Sequence, residues 1–555
     1  MTDLTPAREW LAHDPDPSTR EELAAVIEAA ERGDEAALAD LADRFAGPLT
    51  FGTAGLRGRV GAGENRMNVA VVTRATAGLA AYLRETVGED ARVVVGCDAR
   101  HGSAEFYAAT LEVLSGAGLT ALALPPRQPT PVTAYAVRAL NADAGVMVTA
   151  SHNPPADNGY KVYLGGRASD ENGNGVQIVP PADAGIAERI EQAPPADLVP
   201  RDRDRIEEVD AGILTQYTAR MASHRTSEQE SRTRVVLTPL HGVGGAVAVD
   251  VFAQAGVTDV HPVTSQFDPD PDFPTVSFPN PEEPGAIDLA IELAGQVEAD
   301  VVVALDPDAD RCSMAIPQPD GSWRQLTGDE IGALLGEQAA ADAGRDGEVL
   351  ASSIVSSRLL ARIAQAHGLR SAATLTGFKW IARTPDIRFG YEEAIGYCTD
   401  PSAVRDKDGI GAAVRVVTLV EDLAARGLTV QDELDRMARA YGLYATAPLS
   451  IRVQDLSLIP AAMARLRAQP PTTLAGAPVV QVVDLAQGSE DLPPTDGLLL
   501  LTQADDRVIV RPSGTEPKLK CYLEVVLEAG EVIPRAEASQ RLALISGEMR
   551  EALGL

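Results

Sequence analysis

Short aliphatic and β-branched runs alternate with helical stretches along most of this chain, and few architectures tolerate that rhythm. Arg92 to Cys97, Leu119 to Leu124 and Gly145 to Thr149 read as strands, separated by helices near 103–115 and 131–140. The alternation returns at Arg234 to Leu237, Val257 to Val263 and Asp300 to Leu305. A third round predicts a helix over 328–341, a strand over 348–355, a helix over 357–366 and a strand near 371–376. Strand-length apolar runs, each followed by a helix, imply parallel or mixed sheets covered on both faces. A chain of 555 residues exceeds one core, and roughly three to five domains are expected.

Boundaries fall where the composition turns loop-like. Pro194-Pro195 and the charged stretch Arg201 to Arg205 close a first α/β domain at 1–205, and a second, 206–318, ends just after an Asp-rich loop. A third covers 319–445, and around Ala445 to Leu449 a long helix gives way to a β-rich segment, 446–555, that ends in a helix at 534–553. Residues 7 to 46 read as two acidic helices, with Pro15-Asp16-Pro17-Ser18-Thr19 forming a break and a cap before Arg20.

Eighty acidic against 48 basic side chains leave a net charge of −32, which opposes a nucleic-acid or anionic-membrane partner. A few cations inside a cleft can still hold a phosphate. Cys97, Cys312, Cys398 and Cys521 form no Cys-x-x-Cys pair, so reduced thiols of a cytoplasmic protein are expected rather than zinc or disulfides. The first residues lack a basic region followed by an apolar one, so no signal peptide is expected. Runs such as Val301 to Leu305 are too short to span a bilayer.

Three places could carry chemistry. In Thr149-Ala150-Ser151-His152-Asn153-Pro154 a hydroxyl stands at a strand's C-terminal end, where open α/β sheets bind ligands. Taken alone, a serine before Asn-Pro more often caps a turn, and His152 is more often structural. In Asp306-Pro307-Asp308-Ala309-Asp310-Arg311 three carboxylates alternate, an arrangement that is costly without a counter-ion. A calcium EF-hand would need Gly and Glu where Arg311 and Pro317 stand. Magnesium with a phosphate oxygen as a further ligand fits better, and Arg311 could then neutralise a transferring group. In Arg511-Pro512-Ser513-Gly514-Thr515 a cation, two hydroxyls and a glycine form either a phosphate cradle or a plain turn. Thr376-Gly377-Phe378-Lys379 and Tyr391-Glu392-Glu393 are weaker candidates for sugar contact. P-loop, Rossmann and Gly-x-Ser-x-Gly signatures are absent.

In order and across nearly the whole chain, these motifs resemble the α-D-phosphohexomutase superfamily, which includes phosphoglucomutases and phosphomannomutases. The resemblance rests on the serine, aspartate and arginine loops together with Glu392-Glu393-Ala394-Ile395-Gly396. Phe51-Gly52-Thr53-Ala54-Gly55-Leu56-Arg57-Gly58 and Thr238-Pro239-Leu240-His241-Gly242 look most like the branch containing phosphoglucomutase-2, phosphopentomutase and glucose-1,6-bisphosphate synthase. It implies three successive mixed α/β domains plus a C-terminal α+β domain around a central active-site cleft. It implies that Ser151 is phosphorylated, that Ser151, Asp306, Asp308 and Asp310 hold Mg²⁺, and that Arg57, His152, Lys161, Arg311 and Lys407 lie at the reacting centre. Thr376, Gly377, Lys379 and Glu392 would contact sugar, while Arg511, Ser513, Gly514 and Thr515 would hold the phosphate that does not react. Many relatives have Ser where Ala394 stands, and some have a His where Tyr397 follows.

The implied activity interconverts hexose 1-phosphate and hexose 6-phosphate, of glucose or mannose, through a phosphoserine and a sugar bisphosphate. The matching 1,6-bisphosphate would be the activator and a small sugar phosphate the partner. A phosphopentomutase or glucose-1,6-bisphosphate synthase of the same family is the nearest alternative. A haloacid-dehalogenase-type enzyme with Asp306 as nucleophile is the alternative of another class, although Asp310 stands where that pattern needs Thr or Val. An inert sugar-phosphate binder is the third.

Overall fold

The computed structural model describes residues 3–227, 229–344, 347–453, 455–489, 492–513 and 518–555. It divides into two compact units, Met1–Leu326 with Gly396–Glu421, and Thr327–Ile395 with Asp422–Leu555. Among the described residues no helix is long and apolar enough to cross a membrane.

The first unit holds two mixed sheets. In one, Arg92–Cys97 lies between Thr120–Ala123 and Ala144–Val148, parallel to both. Asp157–Leu164 then runs antiparallel between Ala144–Val148 and Leu56–Arg59. Ala144–Val148 is buried throughout, as a central strand covered on both faces must be. Helices Val69–Thr86 and Ser103–Gly116 complete its core, and Thr130–Ala139 packs on Arg92–Cys97 and Ala144–Val148. In the other sheet, Val301–Leu305, also fully buried, lies parallel to Val235–Thr238 and antiparallel to Cys312–Pro317. Both buried strands point their C-terminal ends into the loops that carry the serine and the aspartates.

Several boundaries differ from the expectation. The N-terminus forms three helices, Thr5–His13, Pro17–Glu31 and Glu35–Arg44, where two were expected. The additional break comes at Gly33-Asp34, where the Asp34 carboxylate accepts from the amides of Ala36 and Ala37 and caps the third helix. Strand Ile206–Glu208 pairs with Thr120–Ala123, so the first sheet reaches past the charged stretch that reads as a linker.

In the second unit, Val349–Ser353 is parallel to Arg370–Thr374 and Ile387–Glu392, with helices Gly328–Ala341 and Leu359–Ala366 packed nearby. The C-terminal part is a fully antiparallel sheet running from Leu443–Arg452 to Thr473–Leu474. Helices Leu458–Ala468 and Arg535–Leu553 contribute to its core. The buried carboxylate of Glu524, on strand Lys518–Leu527, accepts from Ser357 Oγ at 2.9 Å and from the Arg358 amide at 2.8 Å. Arg358 Nε lies 2.5 Å and Arg507 3.5 Å away. Burial pushes Glu524 up, but the two guanidinium groups hold it below the usual carboxylate range. Truncating one partner of such a pair strands the others. Glu524→Ala should therefore cost about 3–5 kcal/mol in urea unfolding, and a loss under about 1 kcal/mol would refute the role given to this pair.

Candidate active site

Ser151 follows the buried strand Ala144–Val148 by three residues, is 3 % exposed, and holds a left-handed φ of 52°. Its amide donates to Thr149 Oγ1 at 2.9 Å. Its hydroxyl donates to Asp306 Oδ2 at 2.8 Å and lies 3.2 Å from His152 Nδ1. The serine and the first aspartate, 155 residues apart in sequence, thus share a hydrogen bond.

The aspartate loop is built from both sides. Asp306 Oδ1 accepts from the Arg311 amide at 3.0 Å. Asp308 Oδ2 accepts from Thr130 Oγ1 at 2.6 Å and from Lys161 Nζ at 2.8 Å. Asp310 Oδ2 takes Lys161 and Lys407, each at 2.9 Å. Two glycines let neighbouring backbone press on the loop. A Cβ on Gly242 would fall 2.3 Å from Pro307 Cα, and one on Gly409 2.3 Å from the Arg311 carbonyl oxygen. Neither position has room for a side chain.

The charges follow from this packing. Burial, reinforced by Asp308 and Asp310, pushes the Asp306 carboxyl well above its usual range. Burial also raises Asp310, but Lys161, Lys407 and Arg311 overcome it and hold that group below the usual range. Burial alone would lower Lys161, yet Asp308 and Asp310 raise it, so it stays an ammonium. Burial, with Arg311 and Arg57 nearby, drives His152 well below its ordinary value and keeps it neutral.

A hard divalent cation fits the residues present. One oxygen from each of Asp306, Asp308 and Asp310 lies within 4.8 Å of the others. Asp308 Oδ1 and Asp310 Oδ1 are buried with no hydrogen-bond partner among the described residues. Orphaned carboxylate oxygens in a dry site are costly unless a cation takes them.

The other anticipated residues divide between the two units. In the first, Arg57 Nη1 donates to Asn153 Oδ1 at 3.0 Å, and Arg311 Nε lies 3.8 Å from Asp310 and 4.0 Å from Asp306. Lys407 arrives on a segment pinned by Asp406, which accepts from the Lys407 amide, Tyr163 and Gln177. In the second unit, Gly377 (φ 103°) follows Thr376 and precedes the short helix Phe378–Ile381 that carries Lys379. Glu392 ends strand Ile387–Glu392. Its neighbour Glu393 is taken up by the hydroxyls of Ser353 and Ser356, so the two carboxylates do not act as a matched pair. Arg511 stands opposite Lys520 across the sheet, and the Ser513 amide donates to the Lys518 carbonyl. Gly514 and Thr515 lie outside the described residues.

Reading the sequence missed Thr130, Asp406 and Arg100, the last of which binds the serine loop by its carbonyls. Five of the chain's 48 basic side chains are lysines, namely Lys161, Lys379, Lys407, Lys518 and Lys520. All five stand in or beside the candidate motifs, where a compact ammonium differs from a guanidinium in chemistry.

Family models for phosphoglucomutase/phosphomannomutase match in order. They are alpha/beta/alpha domain I at residues 48–196, domain II at 215–321, domain III at 327–441 and the C-terminal domain at 451–532. The chain belongs to the phosphoglucomutase/phosphomannomutase family, within the α-D-phosphohexomutase superfamily. It is a mutase, an intramolecular phosphotransferase, with the four-domain α/β fold of that family. A probable phosphomannomutase of Haemophilus influenzae is 43 % identical over 461 residues, covering 82 % of this chain and 93 % of that protein. A probable phosphoribomutase of Schizosaccharomyces pombe is 36 % identical over 564 residues, covering 93 % and 92 %. The crystal structure of a putative phosphomannomutase from Thermus thermophilus superposes with a TM-score of 0.71 at 22 % identity, covering 92 % of this chain and all of that one. With the family established, the haloacid-dehalogenase alternative falls away, as does the inert binder.

Two outcomes are expected of this mutase. Mg²⁺ at about 100 times its dissociation constant should stabilise the protein by about 2.7 kcal/mol, seen as a rise in Tm. Asp310→Asn should lose most of that rise, and an unchanged one would remove the loop as the cation site. The second concerns Asp408, whose burial pushes its carboxyl up to about 6. Tyr217 and the Gly411 amide both donate to its Oδ1. Between about pH 4 and 6 the folded chain keeps a proton that the unfolded chain has lost, so stability from this group falls as pH rises. The stability of Asp408→Asn relative to the native chain should increase across that window and level off near pH 7. A pH-independent difference would contradict it.

Proposed function

We propose that this mutase moves a phosphoryl group between C1 and C6 of a hexose phosphate, glucose or mannose, through a phosphorylated Ser151. The hydrogen bond between Ser151 and Asp306 carries the reading, because it joins the hydroxyl to the cluster best suited to balance transferring charge. In the forward step the Ser151 Oγ–P bond breaks and a bond from phosphorus to the sugar's free hydroxyl oxygen forms. The hydroxyl proton passes by way of a phosphoryl oxygen to Ser151 Oγ as that oxygen leaves, since Lys161 is held as an ammonium by Asp308 and Asp310. The bisphosphate then reverses its orientation and returns its other phosphate to Ser151; glucose or mannose 1,6-bisphosphate would act as activator by phosphorylating a bare Ser151. Catalysis of this kind is mostly positioning and charge neutralisation.

Asp306, Asp308, Asp310 and Ser151 would hold Mg²⁺, which when bound neutralises charge on the transferring oxygens. Arg57, Arg311, His152, Lys161 and Lys407 surround the transfer site. Thr376, Gly377, Lys379 and Glu392 are assigned to sugar contact, and Arg511, Ser513, Gly514 and Thr515 to the other phosphate. The working parts are then 1–205 for the serine loop, 206–318 for the aspartates, 319–445 for sugar and 446–555 for phosphate. The cytoplasm suits four buried, unpaired cysteines.

A pentose substrate is the second reading, favoured by the relative named as a probable phosphoribomutase over 93 % of this chain. Turnover of glucose 1-phosphate, mannose 1-phosphate and ribose 1-phosphate, each with glucose 1,6-bisphosphate, separates the two. Higher kcat/KM on a hexose is expected, and a clear preference for ribose 1-phosphate would replace the hexose assignment. Ser151→Ala should lower turnover by at least about 10³-fold while leaving the protein folded. Near-native turnover would remove Ser151 as the nucleophile.

A further inference from the structure

The serine loop is gripped from behind by one buried side chain. Arg100 is 4 % exposed. Its Nη2 donates to the carbonyls of Ser151 at 2.7 Å and Asn153 at 2.6 Å. Its Nη1 donates to those of Pro154 at 2.9 Å and Asp157 at 3.2 Å. Four of the five N–H groups of one guanidinium are therefore spent on a single turn of backbone. Asp98, itself buried, stands behind it as counter-charge, with Oδ2 3.6 Å from Arg100 Nε. Asp98 Oδ1 accepts from the Arg100 amide at 3.0 Å and from Ser103 Oγ at 2.6 Å. The front of the guanidinium is covered by the Phe273 ring at 4.9 Å.

This arrangement matters because of the conformation it holds. Ser151 is a non-glycine residue at φ 52°, a backbone state that side chains avoid and that persists only when its surroundings over-determine it. Thr149 secures the amide side of Ser151; Arg100 secures the carbonyl side. An ammonium could not replace it, since the planar fork alone can span several carbonyls at once.

We infer that Arg100 is a positioning residue for phosphoryl transfer, holding Ser151 in the left-handed turn that aims its hydroxyl at Asp306. The inference rests on Ser151 being the phosphorylated residue. It also assigns Asp98 and Phe273 a supporting part, as the counter-charge and the cover that keep the guanidinium in place.

The test follows transfer of phosphate from glucose 1,6-bisphosphate to the full-length protein by rapid quench and peptide mapping. In the native protein the phosphate should map to Ser151. Arg100→Lys keeps the charge and loses the fork. Its phosphorylation rate and kcat should fall about 100-fold or more, the loss typical of a slightly misplaced reacting group. Its KM for sugar phosphate should change by less than about threefold, because sugar contact does not depend on the aim of Ser151, and its Mg²⁺-dependent rise in Tm should stay larger than that of Asp310→Asn, because the three carboxylates remain. If the native phosphate maps elsewhere, the reading of the site fails and this inference with it. If it maps to Ser151 while Arg100→Lys is phosphorylated at the native rate, the inference about Arg100 fails alone. Should Arg100→Lys not fold, Phe273→Leu decides, with phosphorylation expected to slow about threefold to tenfold at unchanged KM. A native rate in that variant would overturn the proposal.

Discussion

Three buried carboxylates in a loop of five residues repel one another, and the first unit is organised around answering that repulsion. Lys161 bridges Asp308 and Asp310, and Lys407 adds a second contact to Asp310. Each answer requires a particular element. Lys161 needs strand Asp157–Leu164 to run antiparallel beside Ala144–Val148. Thr130, which starts helix Thr130–Ala139, is needed to cap Asp308. Lys407 needs the segment from Asp400 to Asp406, tied down by Arg220 at Asp400 and by Tyr163 at Asp406. That explains why Gly396–Glu421 groups with the first two sheets and not with the residues that precede it in sequence.

The same region concentrates backbone strain. Ser151, Leu240, His241 and Ala309 all hold left-handed conformations, each costing of order 1–3 kcal/mol. Such states survive where neighbours leave no alternative. Gly242 presses against Pro307, Gly409 against Arg311, and the Val243 amide bonds the Pro307 carbonyl at 2.8 Å. Pre-organisation of this sort suits a transfer reaction in which little reorganisation can be tolerated.

Periodicity alone located the buried strands and their helices closely. Strand Arg92–Cys97 and helix Gly328–Ala341 stand where alternation placed them, because a core covered on both faces leaves an unbroken apolar run. What remained hidden was non-local. Strand Asp157–Leu164 begins Asp-Asn-Gly and reads as a turn, yet pairing on both edges makes it a strand. Its Lys161 was expected at the reacting centre, but its two aspartate partners showed only in the fold. Arg100 left no local trace because it binds carbonyls, which every residue offers. The aspartate loop was legible for the opposite reason, since three alternating acids demand an explanation wherever they fold. Lysine scarcity was legible too, but counting arginine and lysine together conceals it.

The most direct measurement is anomalous diffraction from crystals of the phosphorylated protein grown with Mn²⁺ in place of Mg²⁺. One peak is expected, bonded to Asp306, Asp308, Asp310 and an oxygen of phosphorylated Ser151. A peak remote from Ser151, or a bare Ser151 in protein that turns over, would contradict the proposal that this oxygen carries the migrating group.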